Sequence, residues 1–166
     1  SVINVAGTLD QATSSLTVNG IPVLFSGTSF NTNVTLEEGH NTIVARIVDD
    51  EGVSANASVS VSLDLTAPYI TLDSHQDGQL VHNTPVDVSG LVNDIVRGTV
   101  ETEDATVTVN GDVAEIRNRS YIVRGVELIP GDNAITIRAA DQVGNISTKE
   151  FTWIGKCVRA HKMFLF

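Results

Sequence analysis

Leu16-Thr17-Val18-Asn19-Gly20 recurs as Val107-Thr108-Val109-Asn110-Gly111, and Glu38-Gly39-His40-Asn41-Thr42-Ile43 recurs as Pro130-Gly131-Asp132-Asn133-Ala134-Ile135. In the first pair, alternating apolar and Thr positions run into Asn-Gly. This is a strong hairpin signal, because both central residues of a two-residue type I′ turn need positive φ. The second copies lie about ninety residues after the first, a period that makes a whole small domain rather than a solenoid repeat. The chain therefore reads as one β module written twice.

Composition agrees with a β protein. Of 166 residues, 42% are hydrophobic but only 5% aromatic. Val, Ile, Thr and Ser dominate, Gly and Pro punctuate, and no long segment carries a helical period. The net charge of −10 argues against nucleic acid and anionic membrane surfaces as partners. All 20 acidic residues and seven of the ten basic ones precede Lys156, and no Lys precedes Lys149. An acidic, Lys-poor surface suits an extracellular protein or one that meets cations. The single Cys157 lies beyond the repeats, so they hold no disulfide; no apolar run of this sequence is long enough to span a bilayer, and none is expected to act as a signal peptide. With no initiator Met and a strand-like start, the chain is expected to be a piece of a longer one.

The second copy serves as the template. Pro68 opens strand A through Ile70 and Leu72, and Val86 to Val92 forms strand B around Ser89-Gly90. Residues 93–104 make a polar, acidic B–C loop. Strand C (Thr106 to Asn110), C′ (Val113 to Arg117), E (Tyr121 to Leu128), F (Asn133 to Ala139) and G (Ser147 to Ile154) follow, separated by turn residues. Seven short strands at such intervals predict an antiparallel sandwich. In the first copy Val5-Ala6-Gly7 answers Val88-Ser89-Gly90, Phe30 answers Tyr121, Asp49 answers Asp141, and Val59 and Val61 answer Phe151 and Trp153. Its B–C loop is shorter and its strand A is missing, so residues 1–63 are expected to be less stable than 67–155.

Three segments follow: a first domain over 1–64, a second over 65–155, and a tail over 156–166. The join Asp64-Leu65-Thr66-Ala67-Pro68 ends in Pro and predicts a stiff, extended connector. The tail turns basic and holds the chain's only Cys and only Met. It reads as a non-native or terminal extension, and its apolar Met163-Phe164-Leu165-Phe166 could cover the opening left by the missing strand in a neighbouring molecule.

With these motifs on the page, the chain resembles the bacterial immunoglobulin-like repeats of secreted and surface proteins. It is most similar to accessory domains beside glucan-degrading, glucodextranase-type enzymes. The resemblance rests on the Val-x-Gly strand, the Thr-Val-Asn-Gly hairpin, the Leu-x-x-Gly-x-Asn-x-Ile turn, the Asp-x-x-Gly-Asn turn and the Asp-x-Thr-Ala-Pro join. The first copy departs at its F–G turn, where Asp49-Asp50-Glu51-Gly52-Val53 lacks the final Asn. The resemblance implies an all-β fold of two tandem seven-stranded antiparallel immunoglobulin-like sandwiches. It also implies a non-catalytic spacer role in a bacterial secreted or surface protein, whose partners are its neighbouring domains.

One constellation could carry chemistry. Strand A of such a sandwich starts at the pole that holds the B–C and F–G loops. This brings Asp64 near Asp94, Glu101, Glu103 and Asp104 of the long loop and Asp141 of the F–G turn. Calcium takes six to eight oxygens, which converging carboxylates supply; Asp64, Asp94 and Asp141 are the predicted ligands, and family members with calcium at such junctions imply that it would fix the angle between modules. The competing reading is that Asp141 caps its own turn. His40, His75, His82 and His161 lack zinc-ligand spacing and read as surface residues. Gly27-Thr28-Ser29 lacks the Gly of a nucleophile elbow, so no enzyme is predicted. The alternative function is an adhesive or carbohydrate-binding module that meets a glycan or host protein through residues 93–104. Against it, Phe30, Tyr121, Phe151 and Trp153 are all placed in the cores, leaving no aromatic platform. The four N-glycosylation sequons, beginning at Asn33, Asn56, Asn118 and Asn145, are given no role.

Overall fold

The computed structural model describes residues 1–10, 15–94 and 105–156. Most of the B–C loop, with Glu101, Glu103 and Asp104, and nearly all of the tail lie outside the described residues. The chain divides into two compact units, Ser1–Leu65 and Thr66–Phe166. The described secondary structure is entirely strand and turn.

The first unit contains β1 (Val2–Thr8), β2 (Ser15–Val18), β3 (Ile21–Pro22), β4 (Phe25–Ser26), β5 (Ser29–Thr35), β6 (Gly39–Val48) and β7 (Ser54–Leu63). They form two sheets, ordered β1-β5-β4 and β3-β2-β6-β7. Leu16, Val18 and Ile43 project from the larger sheet, and Leu36 joins them to form a small core. Against it pack the half-buried Ile3, Val5, Phe30 and Val61.

The second unit repeats this plan and adds to it. Its strands are β8 (Tyr69–Ile70), β9 (Leu80–Val81), β10 (Val86–Asn93), β11 (Ala105–Val109), β12 (Asp112–Val113), β13 (Glu115–Arg117), β14 (Ser120–Val126), β15 (Gly131–Asp141) and β16 (Ile146–Gly155). The sheets are ordered β13-β14-β10-β8 and β12-β11-β15-β16-β9. This is the immunoglobulin-like arrangement, with B and E in one layer and C, F and G in the other.

The strand expected over Val113 to Arg117, and the segment that continues beyond the expected strand A, both change sheets. Residues 112–117 pair first with β11 and then, past the buried Ala114, with β14. The opening strand likewise pairs with β10 through β8, then crosses to lie parallel to β16 through β9. The pairing is therefore not antiparallel throughout, and the second unit has nine strand segments where seven strands were expected. A segment passing between two layers can satisfy backbone groups and bury side chains on both.

The recurring motifs have matching local roles. Asn19 and Gly20 have φ of 50° and 79°, and Asn110 and Gly111 have 50° and 97°, as a type I′ hairpin requires. The side-chain oxygen of Asn19 accepts the Val44 N–H at 2.8 Å, and that of Asn110 accepts the Thr136 N–H at 2.8 Å. Each hairpin is thereby tied to the next strand in its sheet. At the E–F turns, Asn41 accepts from the Glu37 N–H and donates to the Glu37 and Gly39 carbonyls. Asn133 does the same with Ile129 and Gly131, all at 2.8–2.9 Å.

Candidate functional site

The three carboxylates predicted as ligands belong to different units, Asp64 to the first and Asp94 and Asp141 to the second. Asp64 follows β7 directly and is half-buried. Asp94 follows β10 directly and is only 1% exposed. Asp141 ends β15 and is half-buried.

Asp141 also does what the competing reading expects. Its Oδ1 accepts the N–H groups of Val143, Gly144 and Asn145 at 2.7–3.0 Å, and its Oδ2 accepts the Asn145 side-chain amide at 2.8 Å. Burial opposes its ionisation, but the hydrogen bonds from Asn145, Gly144 and Val143 outweigh it and hold the carboxyl below its usual range. The two roles are compatible, because a carboxylate oxygen has two lone-pair directions and the Asn145 amide takes one of those on Oδ2. Asp49 caps the matching turn of the first unit, accepting from Glu51 and Val53 at 3.0 and 2.8 Å.

His40 and His82 are exposed, as expected of surface residues. His75 is not one. It is half-buried, with its ring 4.5 Å from that of Trp153. Sequence reasoning missed this contact because the crossing of residues 73–79 between sheets, which places His75 there, carries no periodic signal. Trp153 is fully buried and Tyr121 is 1% exposed. The Tyr121 hydroxyl donates to the Thr71 carbonyl at 2.7 Å, and burial, reinforced by the nearby Asp73 charge, pushes its pKa well up. Tyr69 is 63% exposed and carries the Lys149 ammonium 4.7 Å over its ring. Val59 corrects an expectation. Grouped with the inward-facing aromatics by the repeat, it is 53% exposed, because none of the first unit's described residues lies where β9 lies in the second.

The strand order and pairing define two units of immunoglobulin-like sandwich type. The chain is 32% identical over 123 residues to bacillopeptidase F of Bacillus subtilis, a match that takes in 74% of this chain and 8% of that protein. The chain thus spans under a tenth of that relative's length. No protein-family model matches it. Among solved structures, the fibronectin(III)-like modules of Clostridium thermocellum CbhA align over 99% of this chain and 90% of theirs, at 13% identity and a TM-score of 0.47. Extracellular cadherin domains 3–6 of protocadherin gamma B2 align over 92% of this chain and 39% of theirs, at 17% identity and a TM-score of 0.46.

Proposed function

We propose that the chain is a non-catalytic spacer repeat of a longer bacterial secreted or surface protein, of the immunoglobulin-like repeat kind its motifs resemble. One observation carries this reading: the polar residues written into both copies are spent on their own backbone. Asn19 and Asn110 pin hairpins, Asn41 and Asn133 close the E–F turns, and Asp49 and Asp141 cap the F–G turns. The repeat preserves turns rather than a reactive group, and a module selected for its turns is selected for holding its shape. The relative supports the same reading, since the similar stretch there is a small part of a much longer protein.

Calcium is the cofactor this reading takes, held by Asp64, Asp94 and Asp141. Carboxylate oxygens are the ligands calcium favours, and Asp94 offers its carboxylate from a buried position directly after β10. Tying Asp64 to the second unit would restrict the connector, which is what a spacer needs. Thermal melts of the full chain test this. Millimolar calcium should raise the melting temperature of the wild type and leave Asp94→Asn unmoved; equal melts with and without calcium remove the cation from the proposal. Glycan-array binding tests the spacer role, which expects no signal. Saturable binding lost on shortening residues 93–104 would replace the spacer with a binding module.

A further inference from the structure

The two units differ most where the second unit's opening segment runs. There β8 completes one sheet against β10, and β9 completes the other against β16. The equivalent strands of the first unit, β1 and β7, are the last in their sheets. Between them lies a cleft of about 390 Å³, walled by Ala6 and Thr8 of β1 and Ala57 and Val59 of β7, with Leu16 and Phe30 at its base.

The second unit shows what fills such a cleft. The Thr71 N–H donates to Leu91 O at 2.8 Å and the Asp73 N–H to Ser89 O at 2.9 Å; the repeat equivalents of Leu91 and Ser89 are Thr8 and Ala6. On the other wall, the Ile154 N–H donates to Gln79 O at 2.9 Å, and its equivalent is Ser62 of β7. The opening segment passes so close to Gly90 that a Cβ there would lie 2.1 Å from Thr71 O. Gly7 keeps the equivalent position, where the Phe30 ring lies nearest. Ile3 and Val5 are half-buried where Val86 and Val88 are buried. Among the described residues, the first unit thus presents two free strand edges and an apolar floor, as a β-strand template does.

We propose that this cleft is the docking site of an extended strand with alternating apolar side chains, of the kind residues 69–81 form, delivered in the same polypeptide through the start of β1. The second unit supplies the argument for that source. Only residues 82–85 separate β9 from β10, so a connection of about four residues brings the strand into place. A second copy of the chain cannot lend its own opening segment, which already pairs with β10 and β16.

The test grafts a copy of residues 66–83 directly ahead of Ser1 in the full chain. Amide exchange in β1 and β7 should slow by about tenfold or more, with the second unit unchanged, and the graft itself should resist protease. A graft that stays open to protease, with β1 and β7 exchanging as before, overturns the proposal. A second graft carries Asp in place of the copied Ile70, Leu72, Leu80 and Val81, and it should give no protection; equal protection would show that apolar docking plays no part and would also overturn it. Concentration-dependent dimerisation of the ungrafted chain that protects β1 and β7 would assign the cleft to a second copy instead. None of these outcomes bears on calcium or on the spacer role.

Discussion

The first and second units share turns, strand order and most inward positions, yet their interiors differ sharply. Among the described residues, the second unit's core gathers 18 buried apolar side chains around Trp153 and Tyr121, whereas the first unit's gathers five. Turn chemistry explains little of this, since the Asn-closed turns share three bonds and differ by a long 3.4 Å bond from the Asn133 amide to Trp153 O. Side-chain size explains part, because Trp153 stands where the first unit has Val61. The larger share follows from residues 69–81. They cover both sheet edges, and they bury Val86 and Val88 where Ile3 and Val5 stay half-open. In a sandwich this small, one segment shared between two sheets decides whether the interior closes.

Replacing the largest buried side chains should split the units most clearly. Trp153→Ala removes a fully buried indole and should cost the second unit about 3–5 kcal/mol. Val61→Ala, at the matching half-buried position, should cost the first unit about 1 kcal/mol or less, because fewer buried methyl groups are lost. Denaturant unfolding followed by amide exchange reads the two units separately. Equal losses would mean that the first interior is as closed as the second.

The turns offer the opposite expectation. Asn41→Ala and Asn133→Ala each leave backbone groups without their side-chain partner, at a cost of about 1–3 kcal/mol. The three shared bonds match within 0.1 Å, and Asn133 adds a long one of 3.4 Å to Trp153 O. The two losses should therefore agree closely, with Asn133→Ala the larger if they differ. A clear difference would show that the turn's worth depends on the core beneath it.

This contrast also explains what could be read from residues alone. Asn19-Gly20, Asn110-Gly111 and the Gly-x-Asn turns were legible because positive φ and side-chain closure of a turn are local demands, met by few residue types. The passage of residues 112–117 and 69–81 between sheets was not legible. It depends on which partner strand offers a free edge, and Ala114, the residue at one crossing, is an unremarkable Ala in the sequence. His75 against Trp153, and Val59 left in the open, follow from that same crossing and its absence.

Tyr121 and Phe30 turn the comparison into a matter of one hydroxyl. Tyr121→Phe gives the second unit the first unit's residue and removes the bond to Thr71 O, a loss of about 0.5–1.5 kcal/mol. It should also alter the response to alkali. With its folded pKa raised by burial, and further by Asp73, Tyr121 is stabilising while protonated. That contribution is whole below the unfolded value near 10 and is lost as pH rises above it toward the folded value. Melts across alkaline pH should show the second unit weakening in the wild type and less so in Tyr121→Phe. The first unit has no such group at Phe30, and identical alkaline profiles for wild type and variant would remove Tyr121 from the account.

The smallest effect is expected at the F–G turns. The Asp141 carboxyl is held below its usual range by the N–H groups it caps, so the sign is opposite to that of the tyrosine. Its contribution is present above the unfolded carboxylate value and fades as pH falls through it toward the lower folded one. Asp141 is open to solvent in part, so the loss should be small. Asp141→Asn keeps an acceptor for the turn but cannot titrate, and it should flatten this part of the acid profile without unfolding the unit. Asp49 caps the first unit's turn with two backbone N–H bonds to its Oδ1, where Asp141 takes three together with the Asn145 amide. Asp49→Asn should therefore change the first unit's acid profile less than Asp141→Asn changes the second's. If the two variants behave alike, the Asn145 contact adds nothing to the cap.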